Sequence, residues 1–379
     1  MFEKTKKFCD SLLELGLPGF DLAVYKDGEC ILRYMNGYSD LENKIAMNGK
    51  ERYNIYSCSK VITCTAAMQL WEKGLFSLED KLSNYMPEFK EMTVRCEGGV
   101  KKAEKPILIK HLFEMTAGFS YNTTSENLLK CKEETNGKCQ TREAMKYLAK
   151  DPLLFEPGTR WEYSLCHDVL AALVEVISGE KFEDYVKKNI FDVLSMNDST
   201  FLLPEDEIDT IAERYVYQDG KPVNWGKNIG SYKIGSEYAS GGAGGISTVD
   251  DYIKFLEGLR THKLLKPETL KFMITGRLNK EQNRTYWINS THEYGLGVRC
   301  PKENGKLTDF GWGGAAAAYL AVDMEHGISL YFGAHILSSP IQGLRSMLYH
   351  FVRAELFDND DFENISLELK KLHNYNLTY

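Results

Sequence analysis

The sequence is short of positive charge. Its 46 lysines and arginines are outnumbered by 54 aspartates and glutamates, leaving a net charge of −8 over 379 residues. Basic residues gather only into short pairs such as Lys6-Lys7 and Lys101-Lys102. With no basic surplus to neutralise phosphates, no nucleic-acid partner is expected. Long apolar runs are missing too: none approaches the roughly 18 residues a membrane span needs. The opening Met1-Phe2-Glu3-Lys4-Thr5-Lys6-Lys7 is charged too early and too often for a secretory apolar core, so a cytoplasmic location is expected. The nine cysteines form no Cys-x-x-Cys pair or zinc-like cluster. Free thiols are therefore expected, with a Cys131–Cys139 bridge across a polar stretch as the alternative. His-Glu-x-x-His, Gly-x-Ser-x-Gly and phosphate-loop spacings are also lacking, so no metal, no cofactor and no α/β-hydrolase fold are expected. No repeat, low-complexity segment or Pro/Gly/Ser linker divides the chain.

What is present is a folded chain's composition, 43% hydrophobic and 26% charged, long enough for two lobes. Phe8, Leu12 and Leu15 recur at helical spacing over 2–15. Phe20 to Tyr25 and Cys30 to Tyr34 read as a hairpin around Lys26-Asp27-Gly28. From about Val61 to Leu259 the periodicity is mostly helical, as in Ala67, Leu70, Trp71 and in Val169, Leu170, Leu173, Val176. Ser199 to Leu203 interrupts it as an extended segment. Strands return at Gly295 to Arg299, Gly314 to Asp323 and Ile328 to Phe332, and a helix over Ile341 to Leu356 follows. The expected fold class is α+β: an antiparallel sheet flanked by helices, built from both termini (1–60 plus 245–379), with a mostly helical domain inserted at 61–244.

Three stretches can carry chemistry. In Tyr56-Ser57-Cys58-Ser59-Lys60, Ser57 and Lys60 are three apart, hence on one helical face. A serine in the first turn feels the positive end of the helix dipole, and a lysine one turn on can take its proton. The plainer alternative is a helix N-cap with a solvated lysine. Ser178-Gly179-Glu180-Lys181 has the same spacing but straddles a helix end at Gly179, and reads as capping. Tyr163, in Trp161-Glu162-Tyr163-Ser164-Leu165, could shuttle a proton, or pack at a helix start. Phe310-Gly311-Trp312-Gly313-Gly314-Ala315 could bring a backbone amide close to a ligand, or be a tight strand start.

In order, Leu17-Pro18-Gly19-Phe20, Gly37 to Glu42, Tyr56 to Thr63, Trp71 to Lys81 and Ile107 to Gly118 resemble landmarks of the serine β-lactamase and penicillin-binding-protein superfamily. The branch is that of class C β-lactamases, D-aminopeptidases and related esterases, and the resemblance runs from about Leu17 to Leu337. It implies a β-lactamase/transpeptidase-like fold, with Ser57 as nucleophile, Lys60 as its lysine and Tyr163 as the tyrosine of Tyr-x-Asn. Trp312-Gly313-Gly314 takes the place of Lys-Thr-Gly, and the amides of Ser57 and Ala315 make the oxyanion hole. Leu165 stands where the Asn of Tyr-x-Asn would be, and Trp312 where the lysine would be. Both changes remove polar partners for amide-and-carboxylate ligands, and Trp312, Gly313, Gly314 and Leu165 are expected to line the substrate site. The expectation is therefore an enzyme acting on small-molecule carboxylic esters through a Ser57 acyl-enzyme. The alternatives are a D-aminopeptidase or D,D-peptidase, a weak β-lactamase, an acyltransferase, and a non-catalytic binding protein.

Among other candidates, Ser240 to Gly245 is expected to be a turn bordering the cleft, and Thr248 a helix cap for Asp251. His167 and His335 are more ordinary as structural residues than as catalytic ones. Tyr121, Trp225, Tyr232 and Tyr238 either shape an acyl pocket or fill the core.

Overall fold

The computed structural model describes residues 1–227, 232–288 and 291–357, together with residue 365. The rest of the tail assigned to the terminal unit lies outside the described residues.

Helix α1 (Glu3–Glu14) leads into strands β1 (Gly19–Lys26), β2 (Glu29–Asp40) and β3 (Ile45–Ala46). Three longer helices follow: α2 (Ser59–Glu72), α3 (Cys166–Ser178) and α4 (Val249–Arg260). The chain then adds β4 (His292–Tyr294), β5 (Arg299–Glu303), β6 (Phe310–Gly313), β7 (Tyr319–Asp323), β8 (Ile328–Ala334) and helix α5 (Met347–Leu356). The strands form one antiparallel sheet in the order β4-β5-β6-β7-β8-β1-β2-β3, with Lys306–Leu307 paired to β5. The first hairpin thus lies beside the last one, in the register Phe20↔Ala334 to Lys26↔Ile328.

Both faces of this sheet are covered, and the period-2 alternation of its strands sorts the side chains. Phe20, Leu22, Val24, Leu330 and Phe332 enter a core under α1 and α5, where Phe8 stacks on Phe351 at 4.6 Å. Ala23, Leu320, Val322 and Tyr331 face the larger core, where α4 lays Tyr252 on Tyr331 at 4.2 Å. Helix α2 is buried on nearly every side and packs against α3, as its apolar sequence requires. Thr248 caps α4 by accepting the Asp251 N–H at 3.1 Å, and α3 ends at Gly179 with φ +73°.

The expected extended segment at 199–203 pairs at Thr200, whose N–H bonds Ile246 O at 3.0 Å and whose O accepts the Ile246 N–H at 2.8 Å. Beyond it Thr200 Oγ1 accepts the Leu202 N–H at 3.2 Å and donates to Leu202 O at 2.8 Å, closing a local turn. Three expectations need correction. Gly295 to Val298 is the connection between β4 and β5. There Gly297 has φ +81° and Gly295 N–H bonds Val298 O at 2.9 Å. The strand expected from Gly314 begins at Tyr319, after a turn with Ala317 at φ +72°. The last helix is two, Ile341–Leu344 and α5, separated at Arg345-Ser346, where Leu348 N–H bonds Arg345 O three residues back.

The expectation of free thiols throughout fails at one pair. Cys131, on the helix Glu126–Glu134, and Cys139 have their Cα atoms 6.2 Å apart and form a disulfide, whereas seven cysteines stay free. Among the described residues no helix is long and apolar enough to cross a membrane.

Candidate active site

Ser57 sits in a single tight turn, Tyr56–Cys58, that runs directly into α2. The turn is held from several sides. Cys58 N–H bonds Ile55 O at 3.1 Å, Tyr252 OH donates to Cys58 O at 2.8 Å, and Gly245 N–H donates to Ser59 Oγ at 2.9 Å. Tyr56 adopts φ +46°, uncommon for a side chain of its size, and buried Arg214 donates to its hydroxyl at 3.2 Å.

One helical turn on, Lys60 is fully buried. Its ammonium donates to Gly242 O at 2.7 Å, to Ser57 Oγ at 3.2 Å and to Tyr121 OH at 3.4 Å. The Tyr163 hydroxyl and Ser57 Oγ share a short hydrogen bond. Lys60 Nζ also lies 4.4 Å from the Tyr163 ring centroid, so the phenol ring carries the cation on its face. That ring lies parallel to Tyr121 (5.2 Å) and to Trp312 (6.1 Å). Burial pushes the Tyr121 phenol well above its ordinary range, and neighbouring Tyr163 and Asp168 push the same way, so it stays protonated.

Glycine at 242 lets its carbonyl reach the lysine. A Cβ there would stand 2.5 Å from Asp168 Oδ2 and 3.4 Å from Lys60 Nζ. Buried Asp168 in turn accepts from Ser240 Oγ at 2.6 Å and Tyr238 OH at 2.8 Å. The glycine segment therefore borders the site.

The end of β6 abuts the nucleophile turn. A Cβ on Gly314 would meet Ile55 O at 2.5 Å and Cys58 Sγ at 3.4 Å. Arg345 donates to Gly314 O, and Gln342 Nε2 donates to Ala315 O at 2.5 Å. A trans peptide sets its N–H opposite its C=O, so Arg345 holds the Ala315 N–H facing away from the guanidinium. Ala315 packs beside the cluster that contains Tyr56, next to Ser57.

Of the remaining expected residues, Trp312 is buried with its ring on Tyr163, and Gly313 backs onto Arg345 Cζ, 2.7 Å from a Cβ placed there. Leu165 lies in the core with its amide on Ser120 O at 3.1 Å. His167 is buried, and burial and Lys60 together lower it to about 3, so it is neutral, with Nε2 3.4 Å from Phe113 O. His335 packs between Tyr53 and Tyr215. Among the described residues no three His, Cys, Asp or Glu side chains group as a metal site would need.

With that geometry in hand, the comparison with known families is decisive: the Beta-lactamase family matches residues 5–339. The chain belongs to the β-lactamase family. It is 28% identical over 339 residues to the human serine beta-lactamase-like protein LACTB, mitochondrial, covering 71% of this chain and 61% of that protein. It is 28% identical over 288 residues to esterase EstB of Burkholderia gladioli, covering 69% and 71%. A solved structure titled EstCE1, a hydrolase with promiscuous acyltransferase activity, superposes at TM-score 0.74 with 23% identity over 92% of this chain and 98% of its own. The fold is thus that of the β-lactamase-family serine hydrolases.

Within this β-lactamase-family chain, the expected turn at 240–245 borders the site through the Gly242 carbonyl, whereas Asp168, Arg345 and Trp287, whose ring lies 4.8 Å from that of Tyr163, carried no motif. Tyr121 and Tyr232 stood only among several loop aromatics. Tyr232 meets Tyr121 and Tyr56 edge-on at 5.8 and 5.7 Å, whereas Tyr238 faces Asp168 and Trp225 lies 4.4 Å from Arg214. A tyrosine three residues after the Gly118 landmark was the one usable signal for Tyr121.

Proposed function

We propose that this chain hydrolyses small-molecule carboxylic esters through an acyl-enzyme on Ser57. The observation that carries the reading is the convergence of Lys60 Nζ and Tyr163 OH on Ser57 Oγ. In the reactive form Tyr163 is the phenolate beside the Lys60 ammonium, and it takes the Ser57 proton as Oγ attacks the ester carbonyl. The amides of Ser57 and Ala315 take the oxyanion. Tyr163 then gives a proton to the departing alkoxide, so an alcohol leaves and the acyl group stays on Ser57. Water, deprotonated by the same pair, attacks the acyl carbon and restores the serine.

An ester is favoured over a β-lactam or D-peptide because Trp312 and Leu165 supply no polar partner for an amide or carboxylate. The name of esterase EstB agrees with ester chemistry. The site proposed here lies between a unit made of 1–60 plus 245–379, which gives Ser57, Lys60 and Ala315, and the inserted 61–244, which gives Tyr121, Tyr163 and Gly242. A cytoplasmic location belongs to the same proposal and is supported by the seven free cysteines, whereas Cys131–Cys139 weighs against it. No nucleic acid takes part.

The test is turnover of p-nitrophenyl acetate and butyrate with a fluorophosphonate added in parallel and intact mass as readout. One adduct on wild type, none on Ser57→Ala, and matching ester turnover support the reading. No adduct and no turnover overturn it.

A further inference from the structure

Trp287 is 62% exposed, yet its ring does not stand alone. One neighbour is Tyr163, centroid to centroid 4.8 Å at 52°; the other is Trp161, at 4.9 Å and 85°. Trp161 is itself buried, with its backbone N–H on Thr285 Oγ1 at 2.9 Å and its ring against Tyr286 at 5.0 Å. The indole is therefore braced by two fixed rings and still open to solvent. Scattered exposed apolar residues need no explanation, but a braced one that touches the phenol bonded to Ser57 Oγ is part of the approach to that serine.

We propose that Trp287 is a specificity-determining residue that stacks the aryl group of an arylalkyl alcohol, making esters of such alcohols the preferred substrates. The proposal rests on the Ser57 esterase reading. If Tyr163 protonates the departing oxygen, that oxygen comes within hydrogen-bond reach of the phenol OH, and the group it carries lies beside the ring that Trp287 touches. The acyl side is held elsewhere, at Ser57 and the end of β6. A flat aryl group covers an open indole face better than a short alkyl chain does. A cationic alcohol would also be drawn to an indole, but Lys60 already lies 4.4 Å from the Tyr163 ring centroid and repels it.

The experiment holds the acyl group constant and compares kcat/KM for benzyl acetate, n-propyl acetate and acetylcholine in wild type, Trp287→Ala and Trp287→Phe. The expected benzyl-to-propyl ratio is roughly tenfold in wild type. It falls at least fivefold in Trp287→Ala, mainly through KM, and is largely kept in Trp287→Phe. A ratio that Trp287→Ala leaves in place, or a preference for acetylcholine, overturns the proposal. A second arm needs no turnover. In Ser57→Ala, saturation-transfer NMR should show the phenyl protons of benzyl acetate receiving saturation, and Ser57→Ala/Trp287→Ala should lose it. If wild type gives neither turnover nor a fluorophosphonate adduct, the esterase reading fails, and this arm alone decides Trp287: saturation that depends on Trp287 keeps the stacking site, and saturation indifferent to it removes the site.

Discussion

Lys60 gives its shortest hydrogen bond, 2.7 Å, to the carbonyl of Gly242, and a longer one, 3.2 Å, to Ser57 Oγ. The backbone of a distant loop thus fixes where the ammonium sits, and the serine meets a lysine already in place. Gly242→Ala puts a Cβ 2.5 Å from Asp168 Oδ2, so either the loop that carries the carbonyl or the Asp168 carboxylate beside it must shift. The expected result is a loss of at least about tenfold in kcat/KM, which is about 1.4 kcal/mol of transition-state stabilisation, with far-UV circular dichroism unchanged. Activity within twofold of wild type would show that the lysine finds its position without this carbonyl.

Tyr163 and Tyr121 are parallel rings on the same lysine, yet their hydroxyls differ in reach. Tyr163 OH meets Ser57 Oγ directly, whereas Tyr121 OH accepts from Lys60 at 3.4 Å. Tyr163→Phe removes the proton donor to the leaving alcohol and should lower kcat by about 10²-fold or more. Tyr121→Phe keeps the ring stack and loses one long hydrogen bond, a cost of about two- to tenfold. Steady-state kinetics on benzyl acetate, whose alkoxide must be protonated to leave, separates them. Equal losses in both would contradict the division of roles.

The parts of the site that were legible in the sequence are those joined by short spacing. Ser57 and Lys60 lie one turn apart, and Trp312 to Ala315 are consecutive, so local geometry links them before any fold is known. Tyr121 and Gly242 reach Lys60 only through tertiary packing, and although the glycine run at 240–245 reads as bordering a cleft, no local pattern marks which carbonyl accepts. Misread strands have a related cause. Leu296 and Val298 alternate with glycines as a strand would, and both are buried, but Gly297 at φ +81° turns the chain there. Burial of a loop imitates the period of a strand.

Stability should depend on pH from two directions. Burial, with Lys110 adding to it, lowers His111 to about 4, and burial lowers His335 to about 4 and, with Lys60, His167 to about 3. These folded values lie below the ordinary 6.5, so their stabilisation is complete above pH 6.5 and is lost as pH falls through 4. Glu114 is opposite: burial raises it to about 7 despite Arg277 at 3.8 Å. Its contribution is complete below 4.5 and lost as pH rises through 7. Three histidines outweigh one glutamate, so urea midpoints should fall on acidification from pH 6.5 to 4. Glu114→Gln should stabilise the protein at pH 8 by an amount on the order of 2–3 kcal/mol that shrinks toward pH 4.5. A gain independent of pH would assign the effect to packing instead.

The Cys131–Cys139 bond closes a short loop whose backbone continues into the site's surroundings. Ser236 N–H bonds Gly137 O at 2.8 Å, Glu237 N–H bonds Lys138 O at 3.0 Å, and a Cβ on Gly235 would stand 2.8 Å from Cys139 Cβ. Next along the chain is Tyr238, whose hydroxyl holds Asp168. Opening the bond frees the loop in the unfolded chain, a loss of roughly 2–3 kcal/mol for a loop of this length. Both sulfurs are buried, so a reductant acts only when the segment opens. Cys131→Ser/Cys139→Ser should lower the thermal midpoint by a few degrees, and TCEP should do the same to wild type while leaving the double variant where it is. Because the loop bonds the segment that carries Tyr238, ester turnover should fall with the double substitution before the protein unfolds. A lower midpoint with full activity would confine the bond to stability and detach it from Asp168.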